Sequence, residues 1–206
     1  MADGLIHVVD DSTSFRESLR LMLEASGFSV REHHDGRAFL DAITPRPCGC
    51  ALVDITMPDL DGLALQEQLN SRGIDVPVVI MTGNADVPKA VRAMKAGAVD
   101  FIEKPFVLKT LLAAIAAAQA RLSVSPSVPD DPQLASVRVR LSDLTGRERE
   151  ILEAVVAGHT TKTIAHRLGI SPRTVDAHRA RVSDKLGVVG LSNLVRLALA
   201  AGVVGR

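Results

Sequence analysis

The chain has no tryptophan and no tyrosine, and its five phenylalanines leave aromatics at 2% against 47% apolar residues, so the apolar content is overwhelmingly aliphatic. Cysteine is scarcer still. Cys48 and Cys50, separated by one glycine, can neither staple a fold nor supply a four-ligand zinc site, and they fit a reducing compartment. No basic segment precedes the first apolar run, which ends in Asp10-Asp11 too early for a signal peptide. The longest apolar stretches, 111–118 and 197–204, fall well short of the roughly 20 residues that span a bilayer. The expectation is a cytoplasmic protein with no membrane partner. Net charge is also missing: 24 Lys and Arg balance 24 Asp and Glu, which on its face argues against a nucleic-acid partner.

What is present is an ordinary globular mixture, 23% charged over 206 residues, enough for a real core in one large or two small domains. Residues 5–9, 28–31, 50–54, 76–81 and 98–102 read as strands bounded by Gly, Pro or acidic turns. Between and after them, residues 14–26, 37–43, 63–71, 87–95 and 108–122 carry apolar residues at helical spacing. Five βα units in series predict an α/β domain with a doubly wound, five-stranded parallel sheet. The segment 123–132, with three Ser, three Pro and two Asp, reads as a linker. Helical spacing resumes weakly over 133–143. Beyond residue 144 there is no strand pattern, only four short helical segments near 146–157, 161–168, 172–186 and 191–201. The expected organisation is therefore a first domain over 1–122, a linker over 123–140 and a small all-α domain over 141–206.

Asp10 and Asp11 close the first strand, Asp54 the third and Thr82 the fourth, and Lys104 follows the fifth. All lie at the carboxyl edge, where doubly wound sheets bind ligands. Converging carboxylates repel one another, and a hard divalent cation, Mg²⁺ above all, removes that cost. An Asp-Asp pair alone is ordinarily a cap or a solvated turn; five polar residues at successive strand ends point further. Such a site supports transfer of a phosphoryl group onto a carboxylate. Asp54 on the central strand is the best nucleophile, with the turn 57–62 beyond it keeping the strand end open. Lys104 would pair with a phosphate oxygen as a compact cation, and Thr82 would donate a hydroxyl hydrogen bond to another. Lys104 precedes Pro105, which leaves a cis peptide bond open there. Gly83 either leaves room for a phosphodonor or makes a tight turn. The histidines suggest no metal site: His33-His34-Asp35 reads as a loop, and His7, His159 and His166 have no evident partner.

The stretches 8–11, 52–62, 79–83 and 97–106 together resemble the receiver domain of two-component response regulators, over residues 5–121. That resemblance implies a flavodoxin-like fold in which a sensor histidine kinase phosphorylates Asp54. It implies Mg²⁺ held by Asp11, Asp54 and the carbonyl of Thr56, with Asp10 acting through water. It further implies a switch in which Thr82 moves toward the phosphate and Phe101 turns inward; the sequence allows Phe101 equally to be a plain core aromatic.

In the second domain, Thr145-Gly146-Arg147-Glu148 forms a capping box, and Ser171-Pro172 supplies an N-cap and a preset first helical residue. Two helices joined by about three residues match a helix-turn-helix. On the second of them Val175, Val182 and Leu186 face the core, with His178 and Arg179 at the margins. The opposite face presents Arg173, Ala177, Ala180, Arg181 and Asp184, flanked by Asp176 and Lys185. Alanines amid arginines suit a helix in a major groove, and a solvated charged face explains them as well. The run from Leu144 to Gly187 resembles the LuxR-type four-helix DNA-binding domain, matching about 141–204, and its order after a receiver is similar to the FixJ/NarL subfamily. This implies DNA contacts from Arg173, Thr174, Asp176, Ala177, Ala180, Arg181 and Lys185. The chain departs from the family at Gly146, where Pro is common, and at Thr161 and Thr163, where Asn and Glu are usual. The apolar stripe Leu191, Leu194, Val195 and Ala198 could be consumed by the core; the resemblance implies a dimer contact there.

The expectation is a non-enzymatic, phosphorylation-dependent transcriptional regulator. Its partners would be a sensor kinase, promoter DNA, a second copy of itself when phosphorylated, and RNA polymerase, in an activator's role. An Mg²⁺-dependent aspartyl-phosphate phosphotransferase or phosphatase is the alternative use of the same pocket. The absent net charge also resolves. Residues 1–122 hold 12 basic against 16 acidic side chains, and residues 141–206 hold ten against six. An acidic half suits a cation-binding phosphoacceptor and a basic half a polyanion; opposite charges also let the halves attract.

Overall fold

The structure, a computed structural model, describes residues 4–44, 49–83, 87–123 and 139–203. Most of the linker expected over 123–140, and with it the start of the weak helix expected from 133, lies outside the described residues, as does Cys48. Where description resumes, residues 139–142 are helical.

The chain divides into two compact units. The first carries five parallel strands, β1 (Leu5–Val9), β2 (Ser29–His33), β3 (Gly49–Asp54), β4 (Val78–Thr82) and β5 (Asp100–Glu103), in the order β2-β1-β3-β4-β5. That is the doubly wound arrangement expected from the βα alternation. The helices between and after the strands are α1 (Thr13–Ala25), α2 (Gly36–Ala42), α3 (Gly62–Ser71), α4 (Val87–Lys95), which falls in the second unit, and α5 (Leu108–Ser123). Because strand side chains alternate, Ile6, Val8, Cys50, Leu52, Val79 and Met81 share one face. They pack under Leu19 and Leu23 of α1 and Leu111, Ala114, Ile115 and Ala118 of α5. Strand β3 is buried at all six residues, as a central strand covered on both faces must be. Helix starts follow from short polar caps. Ser12 accepts from the Phe15 amide, Asp35 from Ala38 and Asp61 from Ala64.

Two local expectations change. His33, read as loop, ends β2 and is buried, because its ring meets that of His7 (Nδ1 to Nε2, 3.0 Å) against Phe39 of α2. His7 therefore has a partner. The turn 57–62 does not leave the end of β3 open but folds back on it. Met57 and Leu60 are buried, and the Gly62 amide donates to the Ile55 carbonyl at 3.1 Å. Glycine is required here: a Cβ at Gly62 would stand 2.5 Å from the Asp54 carbonyl oxygen.

The second unit holds α6 (Gly146–Val156), α7 (Thr161–Leu168), α8 (Pro172–Leu186) and α9 (Leu191–Ala200). Its core is Leu141, Leu144, Leu152, Val156, Val182, Leu186, Leu194 and Ala198. The capping box forms in full at Thr145 and Glu148 despite Gly146. Thr160 caps α7, accepting from the Thr163 amide. The three residues 169–171 join α7 to α8: Gly169 takes a left-handed conformation (φ 63°) that ends α7, and Ser171 caps α8 ahead of Pro172.

Candidate functional site

At the carboxyl edge of the sheet, Asp10 lies just past β1, Asp54 and Thr82 end β3 and β4, and Lys104 follows β5. The fold brings the first, second and last of these into contact. The Lys104 ammonium donates to Asp10 Oδ2 at 2.5 Å and to Asp54 Oδ1 at 2.7 Å. Both carboxylates are buried, and Lys104 keeps only 18% of its side chain exposed. Their remaining oxygens are held by backbone: Asp10 Oδ1 accepts from the Ser12 amide and Asp54 Oδ2 from the Thr56 amide, each at 2.9 Å. Arg16 further pins the Asp10 carbonyl at 2.7 Å. Burial pushes the Asp54 carboxyl up from its ordinary value; Lys104 pulls it back, and the neighbouring Asp10 charge adds to the rise. The Lys104-Pro105 bond is cis.

Thr82 is fully buried at the end of β4, its carbonyl accepting from the Lys104 amide at 2.6 Å. Phe101 is buried on β5, two residues before Glu103. Gly83 is exposed without a left-handed φ, and a Cβ there would meet nothing within 4 Å. Gly83 lies in a bend, and residues 84–86 that follow it are outside the described residues.

Asp11 is exposed and does not join the bridged pair; among the described residues no three Asp, Glu, His or Cys side chains gather into a metal cage. The donor chemistry nevertheless suits a hard cation. Asp10, Asp11, Asp54 and the Thr56 carbonyl offer only oxygen, and one ammonium against two buried carboxylates leaves negative charge uncompensated.

On α8, Val175, Val182 and Leu186 are buried, so Arg173, Asp176, Ala177, Ala180, Arg181 and Asp184 form an exposed face. Arg173 and Arg181 make no ion pair among the described residues. Asp176 binds Arg179 at 3.1 Å, and the Thr174 hydroxyl lies 2.8 Å from that of the N-cap Ser171. Lys185 is drawn away from this face by two acceptors, Glu148 Oε2 at 2.7 Å and the Asp143 carbonyl at 3.2 Å. That pair, together with the Thr145 cap, holds the Glu148 carboxyl down at about 2. It ties the start of α6 to the end of α8, a link no local pattern announces. His159, which the sequence leaves alone, meets Arg167 at 2.6 Å.

A lysine-bridged acidic pocket at a sheet edge and an arginine-bearing helix in a helix-turn-helix, joined in one chain, define a class: a signalling switch coupled to a DNA-binding domain. Known proteins narrow it. The family described as "Response regulator receiver domain" matches residues 6–116, and "Bacterial regulatory proteins, luxR family" matches residues 142–198. The chain is 47% identical over 198 residues to the transcriptional regulatory protein FixJ of Azorhizobium caulinodans, covering 96% of this chain and 93% of that protein. It is 45% identical to FixJ of Rhizobium meliloti, covering 98% of each. Full-length FixJ from B. japonicum, a crystal structure, aligns over 98% of both chains with 41% identity and a TM-score of 0.56. The chain belongs to the two-component response regulators of the FixJ/NarL type, phosphorylation-dependent regulators of transcription. Among the described residues no helix is long and apolar enough to cross a membrane.

Proposed function

We propose that Asp54 is the phosphoacceptor of this regulator, carried by one observation: Lys104 bridges Asp54 to Asp10 at the carboxyl edge of the sheet. A carboxylate oxygen of Asp54 attacks the phosphorus of a phosphohistidine on the sensor kinase; the P–N bond breaks and the imidazole leaves. Lys104, already within reach, follows the added charge onto a phosphoryl oxygen, and Thr82 donates to another. Asp11, Asp54 and the Thr56 carbonyl would hold Mg²⁺, with Asp10 acting through water; when bound, the cation offsets charge on the phosphoryl oxygens. Gly83 supports this reading by adding no side chain next to Thr82. Thr82 and Phe101 then carry the change of state across β4 and β5.

The consequence is dimerisation in the cytoplasm and promoter binding through Arg173, Thr174, Asp176, Ala177, Ala180 and Arg181. Lys185 joins them only by releasing Glu148. Contact with RNA polymerase makes the bound dimer an activator. The test is titration of an operator selected from random DNA, with and without acetyl phosphate and Mg²⁺. Affinity rises and the protein sediments as a dimer with the donor, and Asp54→Asn abolishes both responses; equal affinities, or a responsive Asp54→Asn, overturn the proposal.

A further inference from the structure

An ammonium has three N–H donors and no acceptor. Two of those of Lys104 go to Asp10 and Asp54. What remains is met by a ring: the ammonium nitrogen lies 3.9 Å from the centroid of Phe15, within cation–π range. Phe15 is in the first turn of α1, where its amide donates to Ser12 Oγ at 3.4 Å, and the Ser12 amide in turn binds Asp10. One helix start therefore holds both members of the Asp10–Lys104 contact. The ring is itself braced by Phe106, two residues after Lys104, whose ring stands nearly perpendicular to it (84°, centroids 6.2 Å apart), and both pack on the apolar core. In a chain with five phenylalanines, one lies against this ammonium and a second braces that ring.

We propose that Phe15 is a positioning residue for phosphoryl transfer to Asp54, its π face holding the Lys104 ammonium where the phosphoryl oxygens arrive. The inference rests on Asp54 being the phosphoacceptor. A neutral ring suits the task better than a third carboxylate or a water. It attracts the cation and keeps solvent from it, yet presents no charge that competes with the incoming phosphoryl group. Since phosphoryl transfer depends almost wholly on positioning and electrostatics, an ammonium left to wander and hydrate slows the reaction.

The test places 4-fluoro-, 3,5-difluoro- and 3,4,5-trifluorophenylalanine at position 15 of the full chain. These rings are nearly isosteric while their faces lose electron density stepwise, so packing stays constant. The rate of phosphoryl incorporation from acetyl phosphate with Mg²⁺, followed by mass spectrometry, falls with each fluorine and reaches a deficit of about fivefold to thirtyfold in the trifluoro chain. Phe15→Leu, assayed well below its own melting midpoint, shows a similar deficit, and Phe15→Trp restores the rate. Ring-current shifts of the Lys104 Hε protons are present in the parent and lost in Phe15→Leu. A flat fluorine series, in a protein where Asp54→Asn still abolishes incorporation, overturns the role of Phe15 alone. Incorporation that survives Asp54→Asn removes the phosphoacceptor reading and this inference with it.

Discussion

His7 and His33 show how one side chain's surroundings decide its protonation. Burial, then the proximity of the partner ring and Arg31, lowers His7 to about 4; burial, then Arg31, lowers His33 to about 4. Unfolded histidines titrate near 6.5, so between those values the unfolded chain binds protons that the folded one refuses. The pair's contribution is therefore intact above pH 6.5 and is lost as pH falls toward 4. Near pH 5 to 5.5 the stability of the first unit falls by about 2–3 kcal/mol per pH unit, up to two protons being taken up on unfolding. Urea titrations from pH 7 to 5 measure this slope, and His7→Leu/His33→Leu flattens it. The pair was invisible in sequence because it depends on register. β1 and β2 align Val9 with His33 and His7 with Arg31, which leaves the two histidines diagonal on one face. No spacing along the chain encodes that. Asp10, Asp54, Thr82 and Lys104, by contrast, were legible because strand ends are, and the topology assigns every strand end to one edge.

The strands and helices themselves were read well wherever apolar period and caps agreed: α4, α7 and α8 begin and end where the pattern places them. Val76 and Ala98 are buried but precede the ladders of β4 and β5, so apolar character overshoots the hydrogen-bonded strand. The turn 57–62 folds back on β3 because Gly62 can approach that strand closely, which no local spacing encodes. Gly62→Ala forces a Cβ to 2.5 Å from the Asp54 carbonyl oxygen. The expected cost is about 1–3 kcal/mol, with slower phosphorylation, because the displaced backbone is that of Asp54 itself. A melt of the full chain and an acetyl phosphate time course measure the two effects. At the opposite end of the chain, Thr145→Ala removes half of a capping box and costs about 1 kcal/mol, read from the melting of the second unit.

For the whole molecule, the missing net charge was the least informative number in the composition and its division the most. With ten basic against six acidic side chains over 141–206, DNA binding falls steeply with salt. Arg173→Ala and Arg181→Ala each weaken operator binding about tenfold or more, whereas Asp184→Ala does not weaken it; fluorescence anisotropy titrations at two salt concentrations measure both. The sheet order adds a mechanical asymmetry. Asp54 is carried by β3, flanked on both sides and buried throughout, while Lys104 hangs from β5, a four-residue strand at the sheet's margin. Amides of 50–54 should thus exchange with solvent only on global opening, and those of 100–103 through smaller excursions. The pocket is an anvil with an arm: Asp54 stands on an enclosed central strand, and Lys104 reaches it from the sheet's margin.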